Sequence, residues 1–162
     1  MRTRRLLIVS DIHYASDAEK RRAEFRYAGI ESAAARMMLR LYNRFLWQHD
    51  PFAHNHLLDE FLSRAGDCDF AIANGDYSCD SGFVGVSDDA ARASATECLG
   101  KLRARFGENF RAIIGDHELG KRSFVGGLGG MRVASWPLAH GELRLDPVFR
   151  VELGGRVLIG VA

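Results

Sequence analysis

The sequence is sparing in features that would have narrowed its class at once. It holds only 3 cysteines in 162 residues, Cys68, Cys79 and Cys98, and no C-x-x-C pair. An odd number without paired spacing excludes a disulfide framework and reads as reduced thiols. No apolar run is long enough to cross a bilayer. Leu6-Leu7-Ile8-Val9 follows several arginines but stops at Asp11, too short for the apolar stretch of a signal peptide. These absences lead to the expectation of a cytoplasmic chain. There is no internal repeat and no low-complexity tail. Neither charge dominates, because 22 Lys/Arg stand against 21 Asp/Glu, a net of +1. The distribution is uneven, however. Residues 1–48 carry 10 basic against 5 acidic groups, a net +5, and the remainder 12 against 16, a net −4. The N-terminal third therefore has a local positive field.

What the chain does have is strand-like runs alternating with helix-like ones. Leu6–Val9 reads as a strand covered on both faces. Ser16-x-x-Glu19 is a capping-box spacing that opens a long stretch of helical periodicity, in which Ile30, Ala34, Met37, Leu41 and Phe45 would form one apolar stripe. Pro51 implies a helix end near His49. A shorter helix is expected from Asn55 to Ala65, closed by Gly66. Phe70–Ala73 is the next buried run, and Ser87 or Asp88 can cap a helix that reaches Phe106, with Gly107 beyond it. Ala112–Ile114 is the third run. Val148 to Val161, interrupted by Gly154-Gly155, reads as a hairpin. This alternation predicts one α/β domain over residues 1–162 with a mainly parallel sheet.

Each of the first three runs ends in charge. Val9 leads into Ser10-Asp11-Ile12-His13, Ala73 into Asn74-Gly75-Asp76, and Ile114 into Gly115-Asp116-His117-Glu118. The carboxyl ends of parallel strands converge on one edge of an α/β sheet, where ligands bind. Carboxylates gathered there would repel and raise one another's pKa unless a cation lay among them. Mixed carboxylate and imidazole donors suit manganese, iron or zinc. The small residues Ser10, Gly75 and Gly115 allow the sharp turns and close backbone approach such a cluster needs.

In these three motifs the chain resembles the calcineurin-like metallophosphoesterase superfamily, whose pattern runs D-x-H, G-D, G-N-H-[DE], a lone His and G-H-x-H. The resemblance covers about residues 5–120, with the hairpin agreeing in general shape. It implies an αββα sandwich, in which about residues 17–50 look like a helical insertion after the first strand, and a phosphoesterase acting on a monoester or diester through a metal-bound hydroxide, with two divalent ions (Mn, Fe or Zn) spaced ~3.5–4 Å apart. Carried over by position, Asp11 and His13 hold the first ion, Asp76 bridges both, and Asp116 binds the second. His117 assists the leaving oxygen. Asp80 is the candidate for the aspartate that orients the catalytic histidine in some branches.

Two departures stand out. Asp116 occupies the position of the family's Asn, adding negative charge where a phosphate must enter. The last two histidine motifs are missing before Ala162, so the expectation is the front part of a longer domain. A nuclease of the same superfamily and a non-catalytic metal-binding or regulatory derivative are the rival readings.

Other features have plain readings beside the functional ones. His54 and His56 fall at the start of a helix and His140 in a loop, places where histidine is ordinarily structural. Gly126–Gly130, next to Arg132, reads as a loop that could cradle a phosphate. Arg36, Arg40 and Arg44 are spaced four apart, after Lys20, Arg21, Arg22 and Arg26 and before Trp47. They make either a solvated face or a basic amphipathic helix, within residues 18–48, for nucleic acid or a membrane surface.

Overall fold

The structure is a computed structural model that describes residues 3–22, 27, 30, 32–47, 52–79, 84–120 and 133–162. Its centre is a three-stranded parallel sheet in the order β1 (Leu6–Val9), β2 (Phe70–Ala73), β3 (Phe110–Ala112). Leu6 pairs with Phe70 and Val9 with Ala73; Ala71 pairs with Phe110 and Ala73 with Ala112. Between β1 and β2 lie α1 (Asp17–Lys20), α2 (Ala33–Tyr42), continued by a π-helical turn Asn43–Trp47, and α3 (Asn55–Arg64). Between β2 and β3 lies the long α4 (Asp89–Phe106). After β3 come α5 (Asp116–Leu119), α6 (Ser135–Pro137) with a π-helical turn Leu138–Glu142, and the antiparallel hairpin of β4 (Val148–Leu153) and β5 (Arg156–Val161). The chain is mixed α/β with a small parallel sheet, as its alternation predicts. No helix among the described residues is long and apolar enough to cross a membrane.

Two apolar layers hold the sheet. On one side Ala71, Ala73, Ala112 and Ile114 meet Leu99, Leu102 and Phe106 of α4, Leu58 of α3, and Leu143 and Leu145. Alternation along each strand sends Phe70 and Ile72, with Ile113, to the other side, where Phe149 of the hairpin packs against them. The boundaries of α4 are chemically marked. The Asp88 side chain accepts from the Ala91 N–H at its start, and Gly107 ends it at φ +57°. α3 likewise spans Asn55 to Arg64, close to its expected bounds.

Three expectations need correction. β1 is an edge strand and is not covered on both faces: Leu7 and Val9 pack on the main core, whereas Leu6 and Ile8 are exposed because the hairpin sits over β2 and Ile113 instead. The third strand is set two residues earlier than the apolar run suggests. Its ladder with β2 pairs Phe110–Ala112, while Ile113, just past it, donates its N–H to the Ala73 carbonyl (2.9 Å) and bridges to Asp146. Periodicity marks burial, and burial continues past the last ladder pair. The expected stripe also divides. Ser16 caps only the four-residue α1, and Ile30 is fully buried outside α2, while Ala34, Met37, Leu41 and Phe45 are exposed. The expected helix end near His49 lies outside the described residues.

Candidate metal centre

The loops after β1 and β2 run side by side beyond the sheet. The His13 N–H donates to the Asp76 carbonyl (2.9 Å), Tyr14 N–H to the Tyr77 carbonyl (2.9 Å) and Cys79 N–H to the Tyr14 carbonyl (3.0 Å). This short extension joins the Asp-x-His and Gly-Asp motifs through backbone alone. It requires unusual conformations: Asp11, His13 and Asp76 have φ of 54°, 49° and 59°. Non-glycine residues in this left-handed region are strained and cluster at functional sites.

The third motif approaches through two glycines. A Cβ on Gly75, at φ +85°, would lie 2.4 Å from Gly115 Cα, and one on Gly115 would lie 2.5 Å from Asp76 Oδ1. Only glycine at both positions lets the two turns touch, and that contact delivers His117 to the site. The His117 backbone N–H donates to Asp76 Oδ1 at 3.2 Å, and its ring meets that of His13 edge-on, centroids 4.7 Å apart.

His13, Asp76 and His117 each offer one donor atom, and these atoms lie within 4.8 Å of one another. His117 is buried and the other two are half-buried. Burial raises the Asp76 carboxyl above its ordinary value; the His117 N–H opposes this, and the carboxyl of Asp116, which shares a hydrogen bond with Asp76, adds to the rise. His13 Nδ1 lies 3.4 Å from the Ser78 carbonyl. A carbonyl only accepts, so that long contact favours a proton on Nδ1 and leaves Nε2 as the donor atom.

The expected site residues therefore separate. His13, Asp76 and His117 come together. Asp116 stands against Asp76 as the first residue of α5, but neither it nor Asp11 joins the group of three. Asp11 is exposed, and its carboxylate accepts from the Ser10 hydroxyl. Asp80, Gly126–Gly130 and Arg132 lie outside the described residues. His56 is exposed, with Nδ1 2.9 Å from the Ala53 carbonyl, and His54 precedes α3; neither belongs to the cluster. His140 sits in the π-helical turn, not in a loop, with Nδ1 3.1 Å from the Leu145 carbonyl.

Sequence reasoning assigned no role to Glu118, and the structure gives it a central one. Its carboxylate is fully buried and accepts from the N–H groups of Gly115 (2.8 Å), Asp76 (3.0 Å) and Tyr77 (2.9 Å). One side chain thus ties the second motif to the third. Burial lifts its pKa to about 7, against the pull of the backbone donors from Tyr77 and Asp76. The signal was present as a glutamate three residues after the N-cap Gly115, the half of a capping box in which the N3 carboxylate accepts from the N-cap N–H. Tyr77 completes the support, its hydroxyl 2.9 Å from the Ala73 carbonyl and 2.8 Å from that of Ile113, linking the ends of β2 and β3.

Comparison with protein-family models, with curated proteins and with solved structures finds no match to this chain.

Proposed function

We propose that this chain is a metal-dependent phosphoesterase domain whose ion is held by His13, Asp76 and His117. The observation that carries the reading is the convergence of these three donors at the carboxyl ends of parallel strands. Two imidazoles and one carboxylate fit zinc, iron or manganese, and three protein ligands leave room for water or substrate, as catalytic sites do. Such an ion supplies Lewis acidity toward a phosphoryl oxygen and activates water. The residues around it orient the donors. Asp76 keeps one oxygen on the His117 N–H, the Ser78 carbonyl orients His13, and Glu118 locks the loop that carries Asp76.

The order Asp11-x-His13, Gly75-Asp76, Gly115-Asp116-His117-Glu118 supports phosphate esters as the substrate class through its likeness to the metallophosphoesterase pattern. In this reading the parallel sheet and the hairpin belong to that family's sandwich. Asp116, beside Asp76, is the residue available to extend the site to a second ion, with Asp11 on the opposite flank. His117 is assigned as a ligand in place of the leaving-group role that the family pattern implies.

Loading with manganese, iron or zinc, followed by metal analysis and turnover of p-nitrophenyl and bis-p-nitrophenyl phosphate, tests the proposal. Bound metal with metal-dependent turnover is expected. A chain that neither retains metal nor turns over either ester overturns it. If His117→Ala keeps full metal content but loses turnover, His117 returns to the leaving-group role. Asp116→Asn should preserve or raise activity, because it removes a negative charge next to Asp76 and from the path of a phosphate. A second reading, a non-catalytic metal-binding module, is favoured by the single group of three donors among the described residues. Metal without turnover would select it.

A further inference from the structure

The segment from Ser32 to Trp47 contains no Asp or Glu. Ser32 caps α2, its hydroxyl accepting from the Ala35 N–H at 3.3 Å, so the segment is helical from a defined start. A spacing of four places side chains in columns along a helix. Arg36, Arg40 and Arg44 form one column, Met37, Leu41 and Phe45 the next, and Met38, Tyr42 and Leu46 a third. The six apolar and aromatic side chains of the last two columns are 44–77% exposed.

An ordinary surface helix buries its apolar stripe and shows its polar face. This one is mounted the other way. Its polar side holds it to the rest of the chain: an Arg36 guanidinium nitrogen donates to the Ile30 carbonyl (2.6 Å), Asn43 Nδ2 donates to the Tyr27 hydroxyl (2.9 Å), and the Arg40 guanidinium lies 5.4 Å from the Tyr27 ring centroid. Among the described residues, the extensive contacts of α2 are with the turn that continues it. The result is a continuous apolar face bordered by arginines and unbroken by any carboxylate.

We infer that α2 and its π-helical turn form a docking surface for an anionic lipid bilayer, lying in the plane of the interface. The apolar columns would enter the boundary between headgroups and acyl chains while Arg44, which is exposed beside them, meets anionic headgroups. The charge pattern chooses this occupant. A protein partner for a basic, apolar face would need acidic groups set around an apolar groove, and a second copy of the chain would bring arginine against arginine. An anionic membrane offers both halves at once, and the net +5 of residues 1–48 would draw the chain to it.

Flotation of the 162-residue chain with vesicles of phosphatidylcholine alone, or with a third of the lipid replaced by phosphatidylserine, tests this. The expected result is binding to the anionic vesicles only, weakened by salt. Arg44→Gln should lower partitioning about fivefold, the effect of one interfacial charge. Leu41→Ser with Phe45→Ser should lower it at least tenfold. These side chains are exposed, and circular dichroism of each variant checks that the fold is unchanged. Arg36 and Arg40 are left in place because they hold the Ile30 carbonyl and the Tyr27 ring. Equal binding to neutral and anionic vesicles overturns the inference, as does no binding to either. So does a concentration-dependent dimer that Phe45→Ser abolishes without any vesicle binding.

Discussion

At the strand ends, His13, Asp76 and His117 are drawn from three distant stretches of chain and held by backbone hydrogen bonds, two facing glycines and one buried glutamate. Across residues 32–47, helix formation is local, the apolar side chains lie open, and a few polar contacts to Tyr27 and Ile30 anchor the segment. Both regions show good sequence patterns, and they differ in what satisfies the pattern. The first is braced from within, down to both oxygens of Glu118, and leaves only its three converging donors for an ion. The second presents an apolar face that the described residues do not cover. A chain can specify a helix through capping and periodicity without supplying the surface that its apolar face needs.

Substitutions can break this contrast in order of expected effect. Glu118→Leu leaves three backbone N–H groups without their acceptor and should cost about 4 kcal/mol in urea unfolding. Retention of wild-type stability would show that the glutamate does not tie the motifs together. Gly75→Ala adds a methyl where Gly115 already lies and forces alanine into a left-handed conformation. A loss of about 3 kcal/mol is expected, with weakened metal binding in the same variant. His13→Ala should lower zinc or manganese affinity more than about 100-fold in competition with a chelator, while leaving the unfolding midpoint of the metal-free chain nearly unchanged, because its ring is only half-buried.

A smaller effect concerns the tie between the segment after α1 and the start of α4, where Arg22 pairs with Asp88. Burial alone would raise the Asp88 pKa, but the Arg22 guanidinium and the N–H groups of Ala91 and Ala90 hold it below its ordinary value. The unfolded chain then takes up this proton at a higher pH than the native chain. The stabilisation is full above the ordinary carboxylate value of about pH 4 and is lost as the pH falls through the lower native value. The stability advantage of the wild type over Arg22→Met should therefore shrink as the pH falls below about 4, the ordinary carboxylate value. Smallest of all, Met37→Ser should change stability by less than about 0.5 kcal/mol, because the side chain is already in solvent. A large loss there would mean that the face is covered.

Much of the fold was legible because its signals are local. Asp88 and Gly107 bracket α4, and Gly154-Gly155 marks the hairpin turn, since capping and turn chemistry act within a few residues. The positions of Asp11, His13, Asp76, Asp116 and His117 after apolar runs were readable for the same reason. What could not be read was which of them meet. Strand burial was also misjudged at β1, because an apolar run does not announce whether its strand lies in the middle of a sheet or at the edge.

The sequence by itself determined where the turns fall, which runs become strands, and that charged donors follow three of them. Only the tertiary structure decided that β2 lies between β1 and β3, so that Asp76 sits between the loops that follow its neighbours. It also decided that Glu118 spends its carboxylate on backbone, and that α2 points its apolar columns outward. Sheet order and helix orientation are long-range choices, made by which surfaces exclude water together. No pattern confined to one stretch of chain can encode them.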